Sequence, residues 1–258
     1  MPSERYNHNS FVLSPLVDLV KQIVASASAV GDGIELSAIN DYVLHSMFLQ
    51  LTGAQEQKFK CIVWELASDD LQYRYDRYNK WELGECSKID DKSEVYSDII
   101  GKVRSYNPTF KIFANSGRKK IFLNNILSKI DDIISRSNFV NTHHAQYQDF
   151  KEVWANLAGA NIDGGEQLII KAKAKKRNED LSNNEQLFGI YRLLYLHRNR
   201  CAHNVMSYQD NLPPFWELRD KYFQSHYNVF LFIALLVMID EMVMTAYKEL
   251  LRLRRFVL

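Results

Sequence analysis

Breaks are scarce along this chain, with 10 glycines and 5 prolines among 258 residues. Glycine weakens a helix through backbone entropy and proline through its missing N–H. A chain this short of both favours long helices and few tight turns. The apolar spacing agrees. Between Ile34 and Leu51, the residues Leu36, Ile39, Val43, Met47 and Leu51 recur at intervals of three and four, the period of an amphipathic helix.

The remaining segments follow from the same two signals. Leu13–Val30 reads as a helix with Pro15 near its start and Gly31-Asp32-Gly33 at its end. Glu56–Tyr78 continues the helical period through Phe59, Ile62, Val63, Leu66 and Leu71. Lys80–Lys92 is charged and irregular and reads as a surface loop. Val95–Val103 is expected to be a short helix, ended by Asn107-Pro108. Arg118–Phe139 is amphipathic, Phe150–Leu157 is a short segment, and Gly159–Gly165 is a loop. Lys171–Arg177 is a basic run leading into the polar turn Asn178–Asn184. Glu185–Ala202 reads as a helix, and Asn211–Pro214 as a break before a long helix from Trp216 towards Arg255. The expected class is all-α, with Thr109–Ala114 the one place for a strand.

Composition limits the function classes. A hydrophobic share of 47% with 24% charged residues is that of a globular chain. The net charge of +1 creates no global field for nucleic acid, so any such binding rests on local patches. Cys61, Cys86 and Cys201 are far apart and form no C-x-x-C pair, so the spacing predicts neither a disulfide framework nor a metal site. A reducing cytoplasm fits them, and Met1–Ser10 lacks a signal-peptide pattern. The apolar run Val229–Ile239 stops at Asp240-Glu241. A membrane span needs about 20 apolar residues, so a buried core helix is expected there.

The chemistry-bearing segment is Arg198-Asn199-Arg200-Cys201-Ala202-His203-Asn204. Arginine offers a permanent forked charge to phosphate, and histidine exchanges a proton near neutral pH. On a helical wheel Arg198 lies about 40° from Leu194, in one stripe with Leu187, Ile190 and Cys201. An arginine on an apolar stripe has to find an anion, a carboxylate or a wet cleft. His203 lies about 140° further round an unbroken helix. Either the helix ends between the two, or a second copy of the motif completes the site. Asn199 and His203 are i,i+4 neighbours able to hydrogen-bond. Cations at a helix C-terminus also complement its dipole without any catalytic role.

The R-x-x-x-x-H stretch resembles the signature of HEPN-domain ribonucleases. The helix Leu187–Asn204 looks like the penultimate helix of that domain, and the apolar stretch Trp216–Tyr247 like its closing helix. Asp41–Leu66 resembles an early helical hairpin or long helix of the same bundle. The resemblance implies a HEPN-like helical bundle of four to five helices that dimerises to build a composite site. It implies a metal-independent endoribonuclease without cofactor, of a toxin–antitoxin, abortive-infection or CRISPR-associated system. Arg198 would hold the scissile phosphate, His203 would transfer a proton, and Asn199 would orient the site. One domain, 1–258, is expected, with 67–160 an insertion or accessory helical region and 161–258 carrying the motif and closing helix. RNA is the expected partner, with an antitoxin or sensor protein as a further one and no membrane. A helical module of the same fold that binds RNA, nucleotide or a protein without turnover is the alternative.

Other residues are candidates beside the motif. Lys171, Lys173, Lys175, Lys176 and Arg177 are candidates for an RNA path or a solvated face. Asn204 and Arg192 would join them, Arg192 sharing the wheel sector of Asn199 and His203. Glu56, Lys60 and His197 are further candidates, His197 equally a surface residue. His143-His144 point apart on a helix and predict no metal site. Tyr73, Tyr75, Tyr78 and Trp81 form an aromatic cluster suited to base stacking or to packing. Cys201 reads as a small buried residue with no base beside it.

Overall fold

The computed structural model describes residues 8–27, 36–80, 85–159, 183–203 and 227–255. Among these residues it has ten α-helices, one π-helical turn and no strand, so the class is all-α. The helices are α1 (His8–Val12), α2 (Leu16–Ala27), α3 (Leu36–Asp69), α4 (Leu71–Tyr75), α5 (Ile89–Tyr106), α6 (Ser116–Ile134), α7 (Phe139–Thr142), α8 (His144–Gly159), α9 (Asn183–His203) and α10 (Val229–Arg254). The π turn, Asp76–Lys80, follows α4 directly.

The architecture is organised around α10. A helix that is apolar on every side must be covered on every side, and Phe230 to Ile239 is buried without interruption. Helices α2, α3, α5, α6, α8 and α9 all pack against it. By length and composition α10 could cross a bilayer, yet 83% of its most apolar stretch is buried within this chain. Its single buried carboxylate, Asp240, meets Lys58 of α3 at 2.7 Å, and both side chains are 3% exposed. The other Asp240 oxygen accepts the Leu16 N–H at 2.8 Å, so one carboxylate ties α10, α3 and the start of α2 together. The Gln55 side-chain amide adds a bond to the Leu236 carbonyl at 2.9 Å.

Helix α3 is longer than the sequence suggests. The expected segment Ile34–Leu51 and the first part of Glu56–Tyr78 belong to one helix of 34 residues that runs straight through Gly53 and ends at Asp69, while the rest of the second segment forms α4 and the π turn. The hydrophobic face is continuous across the junction, from Leu44, Met47, Phe48 and Leu51 to Phe59, Ile62 and Leu66. Packing on both sides therefore outweighs the weak propensity of one glycine. Helix α5 begins at Ile89, within the stretch expected to be loop. Its buried face includes Lys92 and Ser93, polar residues that hide the helical period from view.

Thr109–Ala114 forms no strand. A turn bond from Phe110 N–H to the Asn107 carbonyl (3.0 Å) and one from Arg104 Nε to the Phe110 carbonyl (3.3 Å) strap it to the end of α5. Helix α8 starts at His144, ahead of the expected Phe150. The closing helix starts at Val229, where Asn228 caps it by accepting from the N–H groups of Phe230 (3.0 Å) and Leu231 (3.2 Å). A helix continuous from Trp216 is thereby corrected, and 204–226 lie outside the described residues.

Helices from the 67–160 region contribute to the same hydrophobic core as α3, α9 and α10. Arg77 in the π turn holds Asp98 of α5 through Nε (3.0 Å) and Nη2 (2.6 Å), and Glu94 at 3.0 Å. That fork fixes α4 and the π turn to α5.

Candidate active site

Helix α9 carries the motif, and the limits drawn from sequence nearly match its own. Leu187, Ile190, Tyr191 and Leu194 are buried against α3, α5 and α10. Arg198 is next along that stripe, at the point where the stripe emerges from the core, and its side chain is 32% exposed. Its carboxylate partner is Glu56 of α3, at 3.4 Å from Nη2. A second long bond runs from Arg198 Nη1 to Asn199 Oδ1, at 3.3 Å. Of the requirements an arginine on an apolar stripe must meet, the carboxylate is thus the one supplied.

Glu56 is shared. Lys60, one turn on, reaches it at 3.1 Å and also bonds Glu85 at 2.5 Å. Glu56 and Lys60, both singled out in the sequence, therefore do lie at the motif. The long α3 makes this possible, because a break near Gly53 would not carry Glu56 to α9.

Below this group sits a residue that sequence reasoning missed. Lys92 of α5 is 1% exposed, donates to the Cys86 carbonyl at 2.5 Å, and lies over the rings of Phe59 (5.1 Å) and Tyr191 (5.9 Å). Burial pulls its pKa down to about 8, with the charges of Cys86 and Glu56 opposing that shift and Arg198 adding to it. Cys86 itself adopts a left-handed backbone (φ 58°), and burial pushes its thiol up to about 11. No motif signals such a lysine. The cue would have been its spacing from Ile89, Tyr96 and Ile99 on one helical face.

Of the two readings of His197, a site candidate or a surface residue, the second is corrected. It is 6% exposed and packs between Phe48 (4.9 Å), His45 (5.3 Å), Tyr227 (5.3 Å) and Phe232 (5.7 Å). The Tyr227 hydroxyl bonds its Nδ1 at 2.5 Å. Burial, then the neighbouring His45 and Arg200, push its pKa down to about 3. Cys201 lies one turn on, 3.6 Å from His197 Nε2 and 3.9 Å from Nδ1. The view of Cys201 as lacking a neighbouring base is therefore corrected too. The cysteine spacing predicts no metal site, yet the fold brings His45 of α3 to this pair.

The other candidates divide by position. Arg192 is exposed and has left the core face of α9. His203 is the final residue of α9, so the helix does not end between it and Arg198. The His203 side chain, Asn204, Lys171, Lys173, Lys175, Lys176 and Arg177 lie outside the described residues. His143 bonds Asp41 at 2.5 Å and Thr142 at 2.8 Å, joining α7 to α3. Tyr73 donates to Asp98 at 2.9 Å, while Tyr75 and Tyr78 are exposed and Trp81 is outside the described residues. Among the described residues, an open groove between α2 and α3, lined by Leu19, Ile23, Tyr42 and Val43, holds no carboxylate, imidazole or cation and shares no residue with this site. Compared with family models, curated proteins and solved structures, the chain matches none of them.

Proposed function

We propose that this chain is a metal-independent endoribonuclease of HEPN type, acting as a homodimer. The observation that carries the reading is the placement of Arg198, an arginine at the exit of the buried α9 stripe, held from α3 by Glu56 and still open to solvent. Two long bonds engage a guanidinium that has five N–H donors. A phosphate oxygen can take the remaining donors while Glu56 keeps the fork aimed outward. The ribose 2′-OH attacks the adjacent phosphorus, the bond to the 5′-oxygen breaks, and that oxygen takes up a proton. The products are a 2′,3′-cyclic phosphate and a 5′-OH end. His203 serves the proton transfer and Arg198 the charge developing on phosphate. Asn199 orients the guanidinium it already touches.

Dimerisation follows from the helix geometry. On an unbroken α9 the two side chains leave the helix about 140° apart, so one motif does not close on one phosphate. A second copy supplies the missing partner. Arg192, Asn204 and the basic run Lys171, Lys173, Lys175, Lys176 and Arg177 are the proposed RNA path. A cytoplasmic toxin or defence effector, restrained by an antitoxin or sensor protein, is the setting that suits such an activity.

The test is RNA cleavage by purified protein without added divalent cations. Wild type is expected to cut RNA and leave DNA intact. Arg198→Ala and His203→Ala should each lose on the order of 100-fold or more in rate, as for removal of a proton-transfer group or an oxyanion donor. Equal cutting by all three proteins overturns the reading. A second reading is favoured by the Glu56 contact itself: a helical binding module in which the ion pair simply joins α3 to α9. RNA binding without turnover, unchanged in His203→Ala, is its signature.

A further inference from the structure

We infer that His45, His197 and Cys201 form a binding site for one zinc-class divalent ion, clamping the last turns of α9 onto α3. Their ligand atoms all lie within 4.8 Å of one another. His197 and Cys201 are four residues apart on one helix, a spacing that aims two side chains at one point. His45 comes from α3, so the three donors converge from two helices.

The imidazoles are already set for coordination. His45 Nδ1 lies 2.8 Å from the Asp41 carbonyl, an acceptor only, so that nitrogen carries the proton and Nε2 keeps its lone pair. Tyr227 occupies His197 Nδ1 at 2.5 Å, and a hydroxyl accepts as readily as it donates, which leaves Nε2 of this ring as the metal-side nitrogen. Metal-bound histidines are held by such outer contacts on the second ring nitrogen. The Sγ to Nε2 separation of 3.6 Å matches the edge of a zinc tetrahedron. With Zn–S about 2.3 Å and Zn–N about 2.0–2.1 Å, that edge is about 3.6 Å. The widest separation closes through rotation of His45 and Cys201, both only partly buried.

Donor chemistry selects the ion. Two imidazoles and a thiolate suit zinc and exclude magnesium and calcium, which require oxygen ligands. Three donors among the described residues leave a fourth position for water or a further ligand. Cys201 lies within the motif, three residues from Arg198, so the ion would fix the turn that presents the guanidinium. The inference does not depend on RNA cleavage, because an Arg198→Ala protein keeps all three donors.

The experiment is titration of the full chain, stripped by chelator, with Zn²⁺ and Co²⁺. One ion per chain is expected, with a thiolate-to-cobalt charge-transfer band and the visible bands of tetrahedral cobalt. Cys201→Ser should abolish the charge-transfer band and weaken zinc binding by at least about 10-fold, and Tyr227→Phe should weaken it by about 10–100-fold. Cys201→His should retain zinc and the tetrahedral bands while losing charge transfer, which separates ligand loss from misfolding. Arg198→Ala should titrate like wild type. No zinc bound by folded wild type, or an unchanged cobalt spectrum in folded Cys201→Ser, overturns the inference.

Discussion

Two buried lysines, Lys58 and Lys92, have different kinds of partner. Lys58 meets Asp240, and burial pulls the lysine pKa down and pushes the carboxyl pKa up, each towards its neutral form. Removing one charge strands the other, a loss of about 3–5 kcal/mol. Asp240→Asn keeps an acceptor for the Leu16 N–H and isolates the charge effect, so urea unfolding should show a loss of that size. The paired variant Lys58→Met, Asp240→Leu should be less destabilised than Asp240→Asn alone. Among the described residues, Lys92 has a carbonyl and two rings but no carboxylate in contact. Its folded pKa of about 8 lies below the ordinary lysine value of 10.5. Between these values the unfolded chain binds more protons than the folded one, so this residue makes stability rise with pH across that window. Below pH 8 both states are protonated and the burial penalty is fully felt. Cys86, whose thiol is raised, works in the opposite sense from about pH 9 upward. Stability measured from pH 7.5 to 9 should therefore rise more steeply for wild type than for Lys92→Met, and equal slopes would refute this assignment.

Helices were legible where their periods were clean. The limits of α9 and the start of α6 fall within two residues of those read from spacing, because Leu187, Ile190 and Leu194, or Ile126, Ile130 and Ile133, all face inward. Errors arose where a polar residue joined the buried face, as Lys92 does in α5, or where a glycine stood inside a packed helix. Gly53 and Gly101 lie in helix interiors, and an added methyl meets nothing within 4 Å at either position. Gly53→Ala and Gly101→Ala should each stabilise by about 0.5–1 kcal/mol, raising Tm by about 1–4 °C in a chain of this size. The start of α10 depends on a cap rather than on hydrophobicity, which is why an apolar count from Trp216 overran it. Asn228→Ala removes the acceptor for two N–H groups and should cost about 1–2 kcal/mol.

At the scale of the whole molecule, the all-α class followed from few breaks and helical spacing. The arrangement around α10 did not, because neighbours in space are set by packing partners that one sequence does not display. The site shows the same division. Arg198 and Asn199 were legible as a motif and Glu56 as a further candidate residue, whereas the pairing of Glu56 with Arg198 and the meeting of His45 with His197 and Cys201 depend on how α3 crosses α9. A composite site requires two copies. Light scattering should give a mass near twice 30.2 kDa, and a monomer that still cleaves RNA would contradict the geometry drawn from α9. The most direct test of the central claim is end-group analysis of RNA incubated with wild type and with an Arg198→Ala, His203→Ala double variant. The account predicts 2′,3′-cyclic phosphate ends from wild type alone, and the same ends at the same yield from the double variant would contradict it.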